Sequence, residues 1–176
     1  LNGGPGAPAF AYVAQRHLDD IVQPIWGWMG AADSFEMGQG YVPAQGIRRI
    51  LSGTPAVLGM LPMADMLDLI EEVGVVAVRA KSMALTSFAV ELVDDVLAPF
   101  DVEVSTPRDP AERGGHITID HPAFRVITPR LWRDGIIPDF RGPTGIRLGL
   151  SPLSTRFDEV RLGIEAIRDE LVAHPS

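Results

Sequence analysis

Few residues in this sequence have types and spacing suited to chemistry. Arg147 lies in Gly145-Ile146-Arg147-Leu148-Gly149-Leu150-Ser151-Pro152, where Ile146, Leu148 and Leu150 alternate with Arg147 and Gly149. That period of two predicts a strand with one apolar face, and it turns Arg147 to the opposite face. The glycine two positions on leaves room for a close approach. A carboxylate could dock there on the guanidinium in bidentate fashion, although a solvated edge-strand arginine fits the same pattern. A second candidate is Leu51-Ser52-Gly53-Thr54-Pro55, which puts hydroxyls and backbone N–H groups at the start of an apolar helix, a ready site for an anion such as phosphate. A plain N-cap at Thr54, with Pro55 in the first helical position, accounts for it equally. Third, Trp26-Gly27-Trp28-Met29-Gly30 sets aromatics between glycines, as in a rigid loop for a flat ligand or a partner chain, or a hydrophobic plug under a loop.

Other chemistries have little to work with. Lys81 is the single lysine. It falls inside a predicted helix between polar neighbours, which does not suit a Schiff-base lysine that needs a desolvated pocket. His116 and His121 are an odd number of residues apart and would face opposite ways on a strand. Without cysteine or a clustered acid pattern, no metal site is expected.

The elements that must position these residues follow from periodicity and punctuation. Residues 1–6 are too rich in glycine for regular structure. Phe10, Val13, Ala14, Leu18 and Ile21 recur at helical spacing until Pro24. Residues 31–46 form a long connection, and residues 46–51 a short strand entering the Ser52-Gly53-Thr54 turn. A helix then runs from Pro55 to about Glu72 and ends at Gly74, and a second occupies residues 75–98 until Pro99. Val102 and Val104, then Ile117 and Ile119, predict two short strands on either side of a turn-rich stretch, residues 106–115. Residues 123–134 are helical, with Pro129 either kinking the helix or starting a shorter one capped by Thr128. Residues 136–140 give a third strand and residues 145–150 a fourth. A last amphipathic helix carries Phe157, Val160, Ile164, Ile167 and Leu171, capped by Ser154 or Thr155.

Over 176 residues the net charge is −8, which argues against nucleic acid or an anionic membrane as partner. The absence of cysteine suits a reducing cytoplasm. The opening residues lack the basic and apolar regions of a secretory signal. The most apolar run, residues 56–70, contains Pro62, Asp65 and Asp68 and is too short to span a bilayer. A mean hydropathy of +0.14 is high for an acidic chain, implying a large core or a surface covered by another chain or segment. Residues up to about Val73 have no sheet of their own, as if cut from a larger domain, and the remainder reads as an α+β layer.

Taken in order, a set of short motifs resembles kynureninase, a fold-type I enzyme dependent on pyridoxal phosphate. The motifs are Leu1-Asn2-Gly3-Gly4-Pro5-Gly6, Gly27-Trp28-Met29-Gly30, Phe35-Glu36-Met37, Leu51-Ser52-Gly53-Thr54-Pro55, Arg79-Ala80-Lys81-Ser82, Thr106-Pro107-Arg108, Arg113-Gly114-Gly115-His116, Asp139-Phe140-Arg141 and Arg147 through Leu153. The resemblance is to the C-terminal portion of the family. It implies a fold between α/β and α+β: residues 1–74 as the mostly helical and looped end of the large cofactor-binding domain, and residues 75–176 as a small α+β domain with a short, mainly antiparallel sheet. The family's Schiff-base lysine would lie just upstream of Leu1, so the resemblance leaves no catalytic residue in this chain and implies that it is inactive alone. It further implies that Trp28, Gly53 and Thr54 bind the cofactor phosphate, from the neighbouring subunit of a homodimer, and that Arg147 binds the substrate α-carboxylate. The implied reaction, in the cytoplasm, is hydrolysis of L-kynurenine or its 3-hydroxy form, giving anthranilate and L-alanine from the former. Ala31 stands where the family commonly has histidine, and Ser154 where Ser-Pro-Leu is usually followed by tyrosine, so both positions bear on substrate and activity. Two other readings are a related class V aminotransferase or lyase acting on another amino acid, and a non-catalytic dimerisation or binding module.

Overall fold

A computed structural model describes residues 3–36 and 38–174, so Leu1, Asn2 and Met37 of the motifs above lie outside the described residues. The chain divides into two compact units, Leu1–Leu69 and Ile70–Ser176.

In the second unit, alternation of side chains builds a four-stranded sheet. The strands are β1 (Glu103–Val104), β2 (His116–Asp120), β3 (Asp139–Arg141) and β4 (Gly145–Gly149), in the order β1-β2-β4-β3 with every pair antiparallel. Ile117, Ile119 and Ile146 are fully buried on one face. They join one apolar cluster with helix α2 (Val75–Leu92), α3 (Phe124–Arg133) and α4 (Phe157–Ala173), including Leu85, Phe124, Ile127, Ile164 and Ile167. Each such side chain contributes roughly 1.5–3 kcal/mol by leaving water. The opposite face carries His116, Thr118, Asp120, Arg147 and Gly149, all half-buried or exposed.

Most of the expected elements of this unit form, with differences that have local causes. The third strand begins at Asp139 rather than Ile136, because Ile136 N–H donates to Leu131 O at the end of α3. Pro129 neither ends nor restarts α3. The carbonyl deprived of its partner belongs to exposed Arg125, where water can serve, and the Thr128 hydroxyl donates to Phe124 O at 2.6 Å instead of capping. Helix α4 is capped from Arg156, whose N–H donates to Glu159 Oε2 at 2.8 Å. Ser154 and Thr155 are not the caps, since their N–H groups close the preceding turn on Ser151 O.

The turn-rich stretch before β2 is held by a buried cation. Arg113 is 5% exposed. Its Nε donates to Thr86 Oγ1, its Nη2 to Ser87 Oγ at 2.6 Å, and its Nη1 to the carbonyls of Pro107 and Arg108. Arg79 adds bonds to the carbonyls of Pro110 and Arg113. At the rim, Arg108 and Asp94 form a two-bond pair at 2.7 and 2.9 Å. Those hydrogen bonds foremost hold the Asp94 carboxyl below its usual range. A depressed carboxyl contributes stability above its unfolded pKa of about 4 and loses it as the pH falls through the folded value. Both partners are exposed, so solvent screens the pair and its contribution is small.

In the first unit, regular structure is sparser than the periodicity predicts. The expected helix after Phe10 is a single 3-10 turn, Gln15–His17, continued by a turn over residues 18–20, with no regular structure over residues 7–14. Phe10 is 70% exposed, and Val13, Ala14, Leu18 and Ile21 are only half-buried, so the stripe lacks the full burial that would sustain a helix. The expected strand over residues 46–51 is a 3-10 helix, Gly46–Ile50. Gly46 opens it at φ +63°, and Arg48 and Arg49 fold back onto neighbouring carbonyls instead of joining a ladder. Helix α1 (Val57–Val73) starts two residues later than Pro55, and Ala56 O accepts from Met60 N–H, so Thr54 is not its cap. No α1 side chain is buried; Leu58 and Leu61 are largely exposed. Among the described residues no single helix is long and apolar enough to cross a membrane.

Two substitutions check this account by chemical denaturation. Arg113→Met removes the partner of the Ser87 hydroxyl and of the Pro107 and Arg108 carbonyls and should lower stability by about 3 kcal/mol. Gly163→Ala, on α4 with nothing within 4 Å of the new Cβ, should raise it by about 0.5–1 kcal/mol.

Candidate functional site

The candidate residues fall in both units. In the first, missing side chains draw the Trp-Gly-Trp loop onto the segment that precedes α1. A Cβ on Gly27 would lie 1.7 Å from Ser52 O, and one on Gly30 would lie 2.3 Å from Leu51 O. Ser52 Oγ donates to Ile25 O at 3.2 Å, and Gln23 Nε2 donates to Ile50 O at 2.7 Å. These contacts bring the loop bearing Trp28 beside the segment bearing Gly53 and Thr54.

Arg48 and Arg49, which sequence reasoning treated only as strand residues, form the scaffold of this region. Arg48 Nη2 bonds Ala31 O at 2.7 Å and Ser34 Oγ at 3.1 Å, and its Nε bonds Met29 O. Arg49 ties Ala44 O to Asp19 O. Ala31 bridges to Pro43, and Trp26 stacks on Tyr41 with ring centroids 4.9 Å apart. Between them opens a cavity of about 330 Å³ lined by Trp26, Trp28, Ala31, Asp33, Glu36 and Tyr41. Trp28 is half-exposed and meets Phe35 edge-on.

The segment 52–54 is exposed, and a Cβ on Gly53 would meet nothing within 4 Å. The N–H groups of Gly53 and Thr54 have no partner among the described residues. Two free backbone donors, a hydroxyl and open space suit a phosphate in chemistry. Nearby, a Cβ on Gly59 of α1 would lie 2.1 Å from Gly6 O, so the glycine-rich opening segment is seated directly on that helix.

In the second unit, Arg147 lies on the outer face of β4, opposite Thr118 of β2 and Asp139 of β3. Its Nη2 donates to Asp139 Oδ2 at 2.5 Å, and the same oxygen is 2.5 Å from Arg141 Nη2. Nε and Nη1 of Arg147 make no hydrogen bond among the described residues. A Cβ on Gly149 would meet nothing within 4 Å, so the space two residues along is open. Sequence reasoning assigned Asp139 no role, although a signal existed. Once residues 142–144 form the turn of a hairpin, residues 139, 141, 145 and 147 fall on one face. Ser154 is exposed in the turn before α4. Lys81 is half-buried on α2 and makes no hydrogen bond or ion pair among the described residues. Among those residues no group of three or more His, Asp or Glu could hold a metal ion.

Comparison with known proteins follows the same lines. The family model described as kynureninase C-terminal domain matches residues 78–167. A kynureninase from Deinococcus radiodurans is 42% identical over 174 residues, covering 97% of this chain and 42% of that protein. One from Pseudomonas fluorescens is 38% identical over 160 residues, covering 91% of this chain and 38% of that protein. The chain thus spans about two-fifths of the length of these relatives. Among solved structures, the apo cysteine desulfurase of Thermococcus onnurineus NA1 superposes with a TM-score of 0.71 at 18% identity, over 93% of this chain and 42% of that one. Likeness at that identity concerns the fold, which is that of the C-terminal portion of a fold-type I enzyme.

The backbone contact at Gly27 is open to a direct check. Gly27→Ala places a methyl group inside van der Waals contact of Ser52 O, and a backbone carbonyl cannot swing aside. A loss of about 1–3 kcal/mol is expected. The change should appear as altered near-ultraviolet circular dichroism from Trp26 and Trp28.

Proposed function

The chain belongs to the kynureninase family, and we propose that it supplies the C-terminal share of a pyridoxal phosphate-dependent hydrolase that cleaves L-kynurenine, or its 3-hydroxy form, with L-alanine as one product. The observation that carries this reading is Arg147: a guanidinium on the outer face of a central strand, with one edge unengaged and open space at Gly149 beside it. That arrangement suits a bidentate hold on an α-carboxylate.

Pyridoxal phosphate, when bound, supplies an electron sink for the amino-acid substrate. This chain's residues would bind and orient. The N–H groups of Gly53 and Thr54, with the Thr54 hydroxyl, would hold the phosphate, and the Trp28 indole would approach it, in a homodimer from the neighbouring subunit. Arg147 would hold the carboxylate and so set which substrate bond faces the cofactor, a contribution of geometry and charge. The lysine that carries the cofactor would lie in the part of the family's length that this chain does not span. Lys81 is no substitute for it.

A full-length protein carrying this sequence, loaded with cofactor, should release fluorescent anthranilate from L-kynurenine. A folded, cofactor-loaded protein that released none would overturn the reading. Transamination or elimination on a panel of other amino acids would instead point to a sister activity of the fold. Arg147→Ala should lower kcat/KM by about 2–4 kcal/mol, roughly 30- to 1000-fold. An unchanged kcat/KM would return Arg147 to the role of a surface charge.

A further inference from the structure

We propose that Asp139 is a positioning residue for Arg147, holding its guanidinium by one N–H of Nη2 so that a forked edge, formed by the second Nη2 N–H with a neighbouring N–H, is presented to a ligand carboxylate. The inference rests on the reading of Arg147 as the carboxylate-binding group and adds a residue to which that reading gives no role.

Three observations carry it. The two residues are directly paired across β3 and β4, so the contact is built into the strand register. Asp139 engages Nη2 alone, and Nε and Nη1 are left without a partner among the described residues. Lastly, Asp139 Oδ2 is shared with Arg141 Nη2 at the same 2.5 Å. Sharing matters because a private carboxylate would neutralise Arg147 and compete with the ligand. Within this group of three side chains, two guanidiniums on one carboxylate leave one positive charge in excess. Arg141 also offsets the repulsion between Asp139 and an arriving carboxylate. The acid nearest along the sheet, Asp120, is occupied elsewhere, by the hydroxyls of Ser105 and Thr144.

A long arginine side chain loses rotamer freedom when it closes on a ligand. Holding it beforehand reduces that loss and favours binding. Asp139 is thus expected to act on substrate capture more than on turnover. Its own side chain is 46% exposed, so replacing it need not disturb the core.

The test uses the cofactor-loaded, full-length protein with L-kynurenine as substrate and its analogue lacking the α-carboxylate as competitive inhibitor. Asp139→Ala should raise KM about tenfold while kcat changes less than about threefold, and should leave the inhibition constant of the analogue unaltered. Asp139→Asn keeps an oxygen that accepts from Nη2, and should recover most of the loss, with KM up about threefold or less. Asp139→Ser, too short to reach the guanidinium, should behave as the alanine variant and serves as a second probe. If Arg147→Ala raises KM but Asp139→Ala and Asp139→Ser do not, the positioning role fails and the reading of Arg147 stands. If Arg147→Ala leaves KM unchanged, that reading fails first and takes this inference with it. Equal weakening of substrate and analogue, or loss of cofactor uptake in both variants, would mark Asp139 as structural and overturn the proposal.

Discussion

The register of β4 against its two neighbours is the constraint on which the second unit depends. Ile146 is buried because it sits between Ile119 on one side and Phe140 on the other. The same pairing sets Arg147 between Thr118 and Asp139 on the opposite face. Because strand side chains alternate strictly, a slip by one residue would turn the guanidinium into the core and Ile146 into water. Core packing and site geometry are thus one choice. The apolar side chains that stabilise the sheet also dictate where the cation points.

A second constraint lies outside the sheet. Arg113 is a buried cation facing hydroxyls and carbonyls, with no carboxylate partner among the described residues. A buried charge is tolerated when its donors are satisfied. Here the acceptors come from α2 and from the loop before β2, so the arginine substitutes for the apolar contacts that a glycine- and proline-rich loop cannot make. Comparable work is done in the first unit by Arg48 and Arg49, which gather carbonyls of a chain with little ladder or helix of its own. Arg113 does this from the interior, Arg48 and Arg49 from the exposed and half-buried surface.

Much of the second unit was legible in the sequence because its elements carry clean periods. Ile117 and Ile119, Ile146 and Leu148, and the stripe from Val160 to Leu171 each have one interpretation that buries apolar surface. The first unit was less legible because its periodicity lacks a partner there. The stripe from Phe10 to Ile21 has helical spacing yet is only half-buried at best, and Gly46–Ile50 has strand-like residues yet pairs with no strand among the described residues. At the start of α4 the hydroxyls of Ser154 and Thr155 offered the usual capping chemistry, whereas the cap is Arg156, whose backbone N–H is met by Glu159. At the candidate site, the face of Arg147 and the space at Gly149 followed from alternation alone. Asp139 did not, because a cross-strand partner depends on the turn length between strands, which a residue-by-residue reading does not register.

The close approach at Gly27 separates what in this protein can drift from what cannot. Every replacement of a glycine adds at least a Cβ, so a position whose Cβ would meet a backbone oxygen has no conservative step open to it. The side chains lining the cavity beside it are under no such limit. Ala31 and Tyr41 can change in size one at a time while the backbone beneath them keeps its course. Selection acting on such a loop would hold the glycines and let the walls vary. New ligand preferences could then be explored without loss of the fold that presents them.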